Sequence, residues 1–161
     1  MTTNTPGTLR ALKVVLAALG VGAIPAGIMF IIAPDGRLLG IPTSALARSP
    51  FTSYLIPGIL LLVINGICPF INIYALTRRP TWPLLDWLGE PFGRHWSFTT
   101  STLQGIALVV WVSYEMYVFG LHWLMITYGL VGVAIILLTL ARATRNALAS
   151  PRTRTRTAQP A

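Results

Sequence analysis

The chain has 161 residues, of which 54 % are hydrophobic and only 10 % charged, against roughly 25 % charged in an average soluble domain. So few polar side chains cannot cover a water-soluble surface, and lipid is the solvent that suits most of this chain. The net charge of +8 is distributed by topology, as shown below, in a way that argues against nucleic acid as a partner.

Four long apolar runs organise the sequence. Residues 14–34, 49–77 and 96–114 carry no charge, and residues 116–141 hold nothing more ionisable than His122. About 20 apolar residues in a helix cross a hydrocarbon core of roughly 30 Å. The expected fold class is therefore all-α: a polytopic bundle of four transmembrane helices at about 12–33, 50–76, 98–119 and 123–142. One domain covers residues 1–145, and residues 146–161 are expected to form a disordered basic tail.

Arg10 and Lys13 precede the first run, as basic residues precede a secretory signal. The run is longer than the roughly 7–15 residues of such a signal, and no A-x-A-like site follows it, so it reads as a retained helix. Ala18, Gly22 and Ala26 form a small-residue ladder at four-residue spacing, which suits close packing within the chain, with a dimer face as the alternative. Pro25 removes one backbone donor and invites a kink. Pro34-Asp35-Gly36 is a turn signal.

The loop from Pro34 to Ser49 has an apolar centre (Leu38, Leu39, Ile41) and is expected to fold over the mouth of the bundle. Ser49-Pro50 reads as a helix start, with Ser49 as N-cap and Pro50 as first helical residue. The second helix then runs to about Leu76, interrupted by Pro57 and Pro69. Tyr54, Gly58, Asn65 and Asn72 recur at spacings of four and seven, so they share one face. Two amides on one face point it into the bundle, because lipid offers amides no partners.

The second loop, Thr77 to Ser97, is rich in Pro and Trp. Pro83 can start a short helix that Gly89 stops, placing Trp82, Trp87 and Trp96 with Leu84, Leu85 and Leu88 at headgroup level, as an aromatic belt or a partner-docking surface. The third helix ends before a tight turn at Gly120-Leu121-His122, and the fourth follows. Residues 149–161 alternate Arg with Thr and suit contact with anionic lipid.

Arg10, Lys13, Arg78, Arg79, Arg94, Arg142, Arg145, Arg152, Arg154 and Arg156 fall on one side of this arrangement, and only Arg37 and Arg48 on the other. Basic short loops stay in the cytoplasm, so both termini are expected there, in a multi-pass protein of the cell membrane.

Glu115 is the only acidic residue inside a predicted span, on a stripe with Gln104, Leu108 and Trp111. Intramembrane carboxylates usually face a bundle interior. Two readings stand: a structural pairing with Arg37, Arg48 or His122 across the outer end, or a proton- or ligand-binding role. Asn65 and Gln104 read as interhelical hydrogen-bond partners, with substrate contact as the alternative. His95 and His122 belong to opposite faces and cannot share one metal or haem. Cys68 is the only cysteine, which excludes intramolecular disulfides and CxxC chemistry. No Ser/His/Asp grouping and no HExxH occurs, and neither a metal nor a cofactor is expected.

From Gly27 to Gly66 the segments PDGRLLGIP, SPF and LIPG, and later WVSYE, resemble a group of small four-helix bacterial integral membrane proteins. In that group an amide is common where this chain has Glu115, and no catalytic residue is assigned. The helix count is also similar to that of the DoxX-like proteins. The preference for Arg over Lys and the abundance of Ala suit a GC-rich bacterial genome. The resemblance implies the four-helix membrane fold; the first functional reading of the chain is a non-enzymatic accessory or structural membrane component, with a protein partner or a second copy of the chain as its associate. A small transporter or permeation unit using the Tyr54–Asn65–Asn72 and Gln104–Glu115 stripes is the alternative, and a lipid-handling enzyme a third.

Overall fold

Pro6 caps the first of six helices in this computed structural model, which describes residues 5–149. In chain order they are α1 (Gly7–Ile32), α2 (Leu55–Arg78), α3 (Pro83–Gly89), α4 (Trp96–Phe119), α5 (Trp123–Leu140) and α6 (Arg142–Ala147). Helices α1, α2, α4 and α5 are long and apolar enough to cross a membrane. No strand forms among the described residues, and one isolated bridge joins Arg94 to Ala149. Helix α1 packs on α2 and α5, while α4 packs on α5 and α2, which closes a four-helix ring.

Leu9, Leu12, Leu16 and Leu19 project from one stripe of α1 at spacings of three and four, the pattern that interlocks neighbouring helices. They meet Leu76, Phe98, Leu108, Val112, Ile135 and Leu148 in the core. The opposite faces are apolar as well: Val14, Val21, Val63, Val110, Leu130 and Leu137 are all exposed. A water-soluble bundle would carry polar side chains there.

The leucine stripe fixes the rotation of α1, and it continues as Ala23 and Gly27 with Gly20 beside it. All three are buried, whereas Ala18 and Gly22 of the expected ladder are exposed. The close-approach face is therefore displaced from the predicted one. A Cβ at Gly27 would lie 2.8 Å from the Leu62 Cβ and 2.9 Å from its backbone nitrogen. Helices α4 and α5 cross in the same manner, with a Cβ at Gly105 placed 2.9 Å from the Gly132 carbonyl.

Helix α2 begins at Leu55 rather than at Pro50. The Ser49 hydroxyl accepts from the Phe51 N–H at 3.2 Å, making a local turn in place of a helix cap. With this start, Pro57 lies in the first helical turn, where a backbone donor has no intrahelical partner to lose. Pro69 is different: it cannot donate to the Asn65 carbonyl, and its ring crowds that oxygen. Residues Leu61–Ile67 open into a π-helix immediately before it, and the Cys68 N–H donates to Val63 five residues back. The helix extends to Arg78, beyond the expected Leu76, and Arg79 closes it with a left-handed φ of 49°.

At the other boundaries, α1 starts earlier than expected and α5 ends at Leu140. Ala141, with ψ of 136°, breaks the chain before α6 folds back. The expected tail boundary at residue 146 cuts through this helix. Leu148 is 1 % exposed in the core, and the Thr144 hydroxyl donates to the Thr8 hydroxyl at 2.8 Å. Residues 150–161 of the expected tail lie outside the described residues. The Thr8–Thr144 bond also places both ends of the described chain together, at the end of the bundle that carries Arg78, Arg79, Arg94, Arg142 and Arg145. We call this the basic end, and the opposite one the loop end.

Candidate functional site

Near the loop end, the stripe on α4 brings Trp111 and Glu115 one turn apart, and the Trp111 Nε1–H donates to Glu115 Oε1 at 2.9 Å. Both side chains are half-buried. They border a cavity of about 40 Å3 lined also by Phe30, Leu46, Tyr54 and Tyr114. Phe30 of α1 stacks on Tyr54 with ring centres 4.7 Å apart and planes 14° from parallel. Tyr54 ties the loop in place: its hydroxyl donates to the Pro42 carbonyl at 3.1 Å and its N–H to the Pro34 carbonyl at 2.8 Å. Burial pushes the Tyr54 phenol above its ordinary pKa. The Tyr114 hydroxyl is shut off from solvent and has no hydrogen-bond partner among the described residues.

Two expectations for this site are corrected. None of Arg37, Arg48 and His122 pairs with Glu115; the one ion pair among the described residues is Arg37–Asp35, at 3.9 Å and exposed. The Gly36 turn explains this. Its φ of 79° lets the Asp35 carboxylate accept the Arg37 N–H at 3.2 Å, so the arginine has a nearer acid. The Arg48 side chain is exposed, and His122 Nδ1 accepts the Leu124 N–H at the start of α5. The lid also differs from expectation. Leu38 is exposed and Leu46 is buried, because the 3₁₀ turn Thr43–Arg48 is the loop segment that reaches α4.

Lower in the bundle the Gln104 Nε2–H donates to Asn65 Oδ1 at 3.3 Å. Asn65 is 1 % and Gln104 5 % exposed, so the amide stripes of α2 and α4 do face each other. Asn65 sits within the π-helical segment, a feature frequent at functional sites. Asn72 is buried too, and with Gln104, Cys68, Trp96, Thr100 and Leu85 of α3 it borders a second cavity of about 280 Å3. The two cavities share no lining residue. The Asn65–Gln104 bond and Leu108, 2 % exposed, mark the layer between them.

At the basic end Trp96 leaves the expected aromatic belt. It is 1 % exposed, its Nε1–H donates to the Pro80 carbonyl at 3.0 Å, and it stacks on Trp82. His95 caps α4 through Nδ1, which accepts the Ser97 N–H at 3.2 Å, so its Nε2–H is the donor to Pro80 at 3.0 Å. Trp82, Leu84 and Trp87 stay exposed. Arg94 lies over the Phe98 ring at 4.8 Å. Burial, and then the charge of Arg145, hold its guanidinium below the usual arginine range. The two histidines cap opposite ends of the path through α4, a helix of 24 residues, or about 36 Å at 1.5 Å per residue.

Sequence reasoning missed Tyr114, Phe30 and Leu46 as neighbours of Glu115. Tyr114 and Glu115 are adjacent in sequence and so some 100° apart around a helix, which gave no reason to place both at one cavity. Leu46 is an ordinary loop leucine until the 3₁₀ turn is known. Comparison of the chain with protein-family models, with curated proteins and with solved structures gives no match.

Proposed function

We propose that this chain is a non-enzymatic integral membrane component, an accessory or structural subunit that presents its helices and loops to a partner protein or to a second copy. It crosses a bacterial cell membrane four times with both termini in the cytoplasm. One observation carries this reading: two pairs of interior polar groups close on one another, Gln104 on Asn65 and Trp111 on Glu115. The two cavities that these pairs border share no lining residue. Basic residues at one end favour the cytoplasmic leaflet, where anionic lipid attracts each by about 1 kcal/mol.

A second reading, a small permeation unit, has its own support. The Gln104–Asn65 amide pair, 3.3 Å long with Asn65 on the π-helical segment, is a weak barrier, since such pairs are worth only about 0.6 kcal/mol. Solubilisation in mild detergent should yield the chain in a stoichiometric complex, and proteoliposomes should pass protons and potassium no faster than empty ones. A lone monomer that supports saturable flux, abolished in Gln104→Leu, would replace the first reading with the second.

A further inference from the structure

We propose that the Glu115 cavity is a binding site for a primary ammonium group. This goes beyond the accessory reading and does not depend on whether the chain moves anything. Four observations converge on that chemistry. First, the cavity holds a carboxylate with unused capacity: Oε1 accepts from Trp111, and Oε2 has no hydrogen bond among the described residues. Second, no cation among the described residues answers it, since their only ion pair is Arg37–Asp35. Third, the walls are aromatic. Phe30, Phe51, Tyr54, Trp111, Tyr114 and Phe119 all line the cavity, and ring faces attract cations, most strongly where water is excluded.

The fourth is the Tyr114 hydroxyl, buried and without a hydrogen-bond partner among the described residues. A buried polar group in that condition calls for an explanation. A ligand that donates hydrogen bonds provides one, because the oxygen can accept. The cavity of about 40 Å3 exceeds the roughly 10–15 Å3 that one water needs, which leaves room for an ammonium head and its first carbon. An anion would meet the carboxylate, and a neutral alcohol would leave its charge unanswered. A quaternary ammonium would gain the ring contacts yet give no N–H to Glu115 or Tyr114. The site therefore prefers R–NH3+ over R–N(CH3)3+, and R is either a small free amine or the ethanolamine headgroup of a phospholipid reached from the loop-end leaflet.

The purified full chain decides the matter by titration calorimetry with ethylammonium and, separately, by native mass spectrometry from nanodiscs of mixed phosphatidylethanolamine and phosphatidylcholine. We expect saturable ethylammonium binding if the amine is free, or selective retention of phosphatidylethanolamine if it is a headgroup. In either arm Glu115→Gln should weaken binding about tenfold or more, and Tyr114→Phe roughly three- to tenfold, from the loss of a charged and a neutral hydrogen bond respectively. Tetramethylammonium should bind more weakly than ethylammonium. Binding in neither arm, or equal binding of the two ammonium ions, overturns the proposal. So does a folded Glu115→Gln variant, judged by its melting temperature, that binds as the parent does. If that variant does not fold, Tyr114→Phe, which keeps the ring, decides: unchanged binding overturns the site.

Discussion

A carboxylate inside a bilayer needs donors, and Glu115 takes one from its own helix through Trp111. That choice of partner sets what substitution does. Glu115→Gln retains an oxygen for the Trp111 N–H and should melt within a degree or two of the parent in detergent. Glu115→Leu leaves that indole without an acceptor and should lose about 1 kcal/mol or somewhat more. Arg37→Ala should change neither, since its 3.9 Å contact with Asp35 is exposed on both sides and such pairs are worth about 0–1 kcal/mol. A large destabilisation by Arg37→Ala would restore the pairing that the geometry denies. Tyr54→Phe tests the loop tether: losing the bond to the Pro42 carbonyl should cost about 1 kcal/mol, read as a lower melting temperature.

At the scale of the helices, rotation and local winding decide which residues meet. Gly27→Ala places a methyl against Leu62, whose Cβ and backbone nitrogen lie 2.8 and 2.9 Å from the new atom. Overpacking of that kind costs about 1–3 kcal/mol. Ala18→Leu points outward from an exposed position and should leave the melting temperature unchanged. The reverse result would put the close-approach face back on the Ala18–Gly22–Ala26 ladder. The amide pair is best measured by a double-mutant cycle on Asn65→Ala and Gln104→Ala, with an expected coupling of about 0.6 kcal/mol and at most about 1.7. Much of this was legible beforehand. Charge-free runs marked the four spans, and two amides seven residues apart marked the buried face of α2. What was not legible depends on phase and on long-range closure. A ladder of small residues looks alike on either side of α1 until the leucine stripe is seen to bind. The start of α2 hung on whether Ser49 caps a helix or a turn, and both use the same hydroxyl. Trp96 resembles any interfacial tryptophan until Pro80 is brought over it.

For the whole molecule, the distribution of charge is the argument for orientation. Among the described residues Arg10, Lys13, Arg78, Arg79, Arg94, Arg142 and Arg145 lie at or beside the basic end, while the loop end carries Arg37, Arg48 and His122. Short loops rich in Lys and Arg resist translocation, which is the argument for the cytoplasmic placement of the basic end proposed above. Two features strengthen the bias. The positive stretches flank every span that enters at that end, so no helix favours the opposite orientation. Of the two loop-end arginines, Arg37 is partly offset by Asp35 at 3.9 Å, although acidic residues count for little in this rule. Fusions of a compartment-sensitive reporter after Ser44 and after Ala149 should therefore report opposite sides, the second cytoplasmic. Because α6 returns Leu148 to the core, the second junction follows all four spans and samples the completed bundle. Reports from one side only would remove a span and with it the ring of α1, α2, α4 and α5. Opposite reports in the inverted sense would keep the bundle and overturn the charge argument alone.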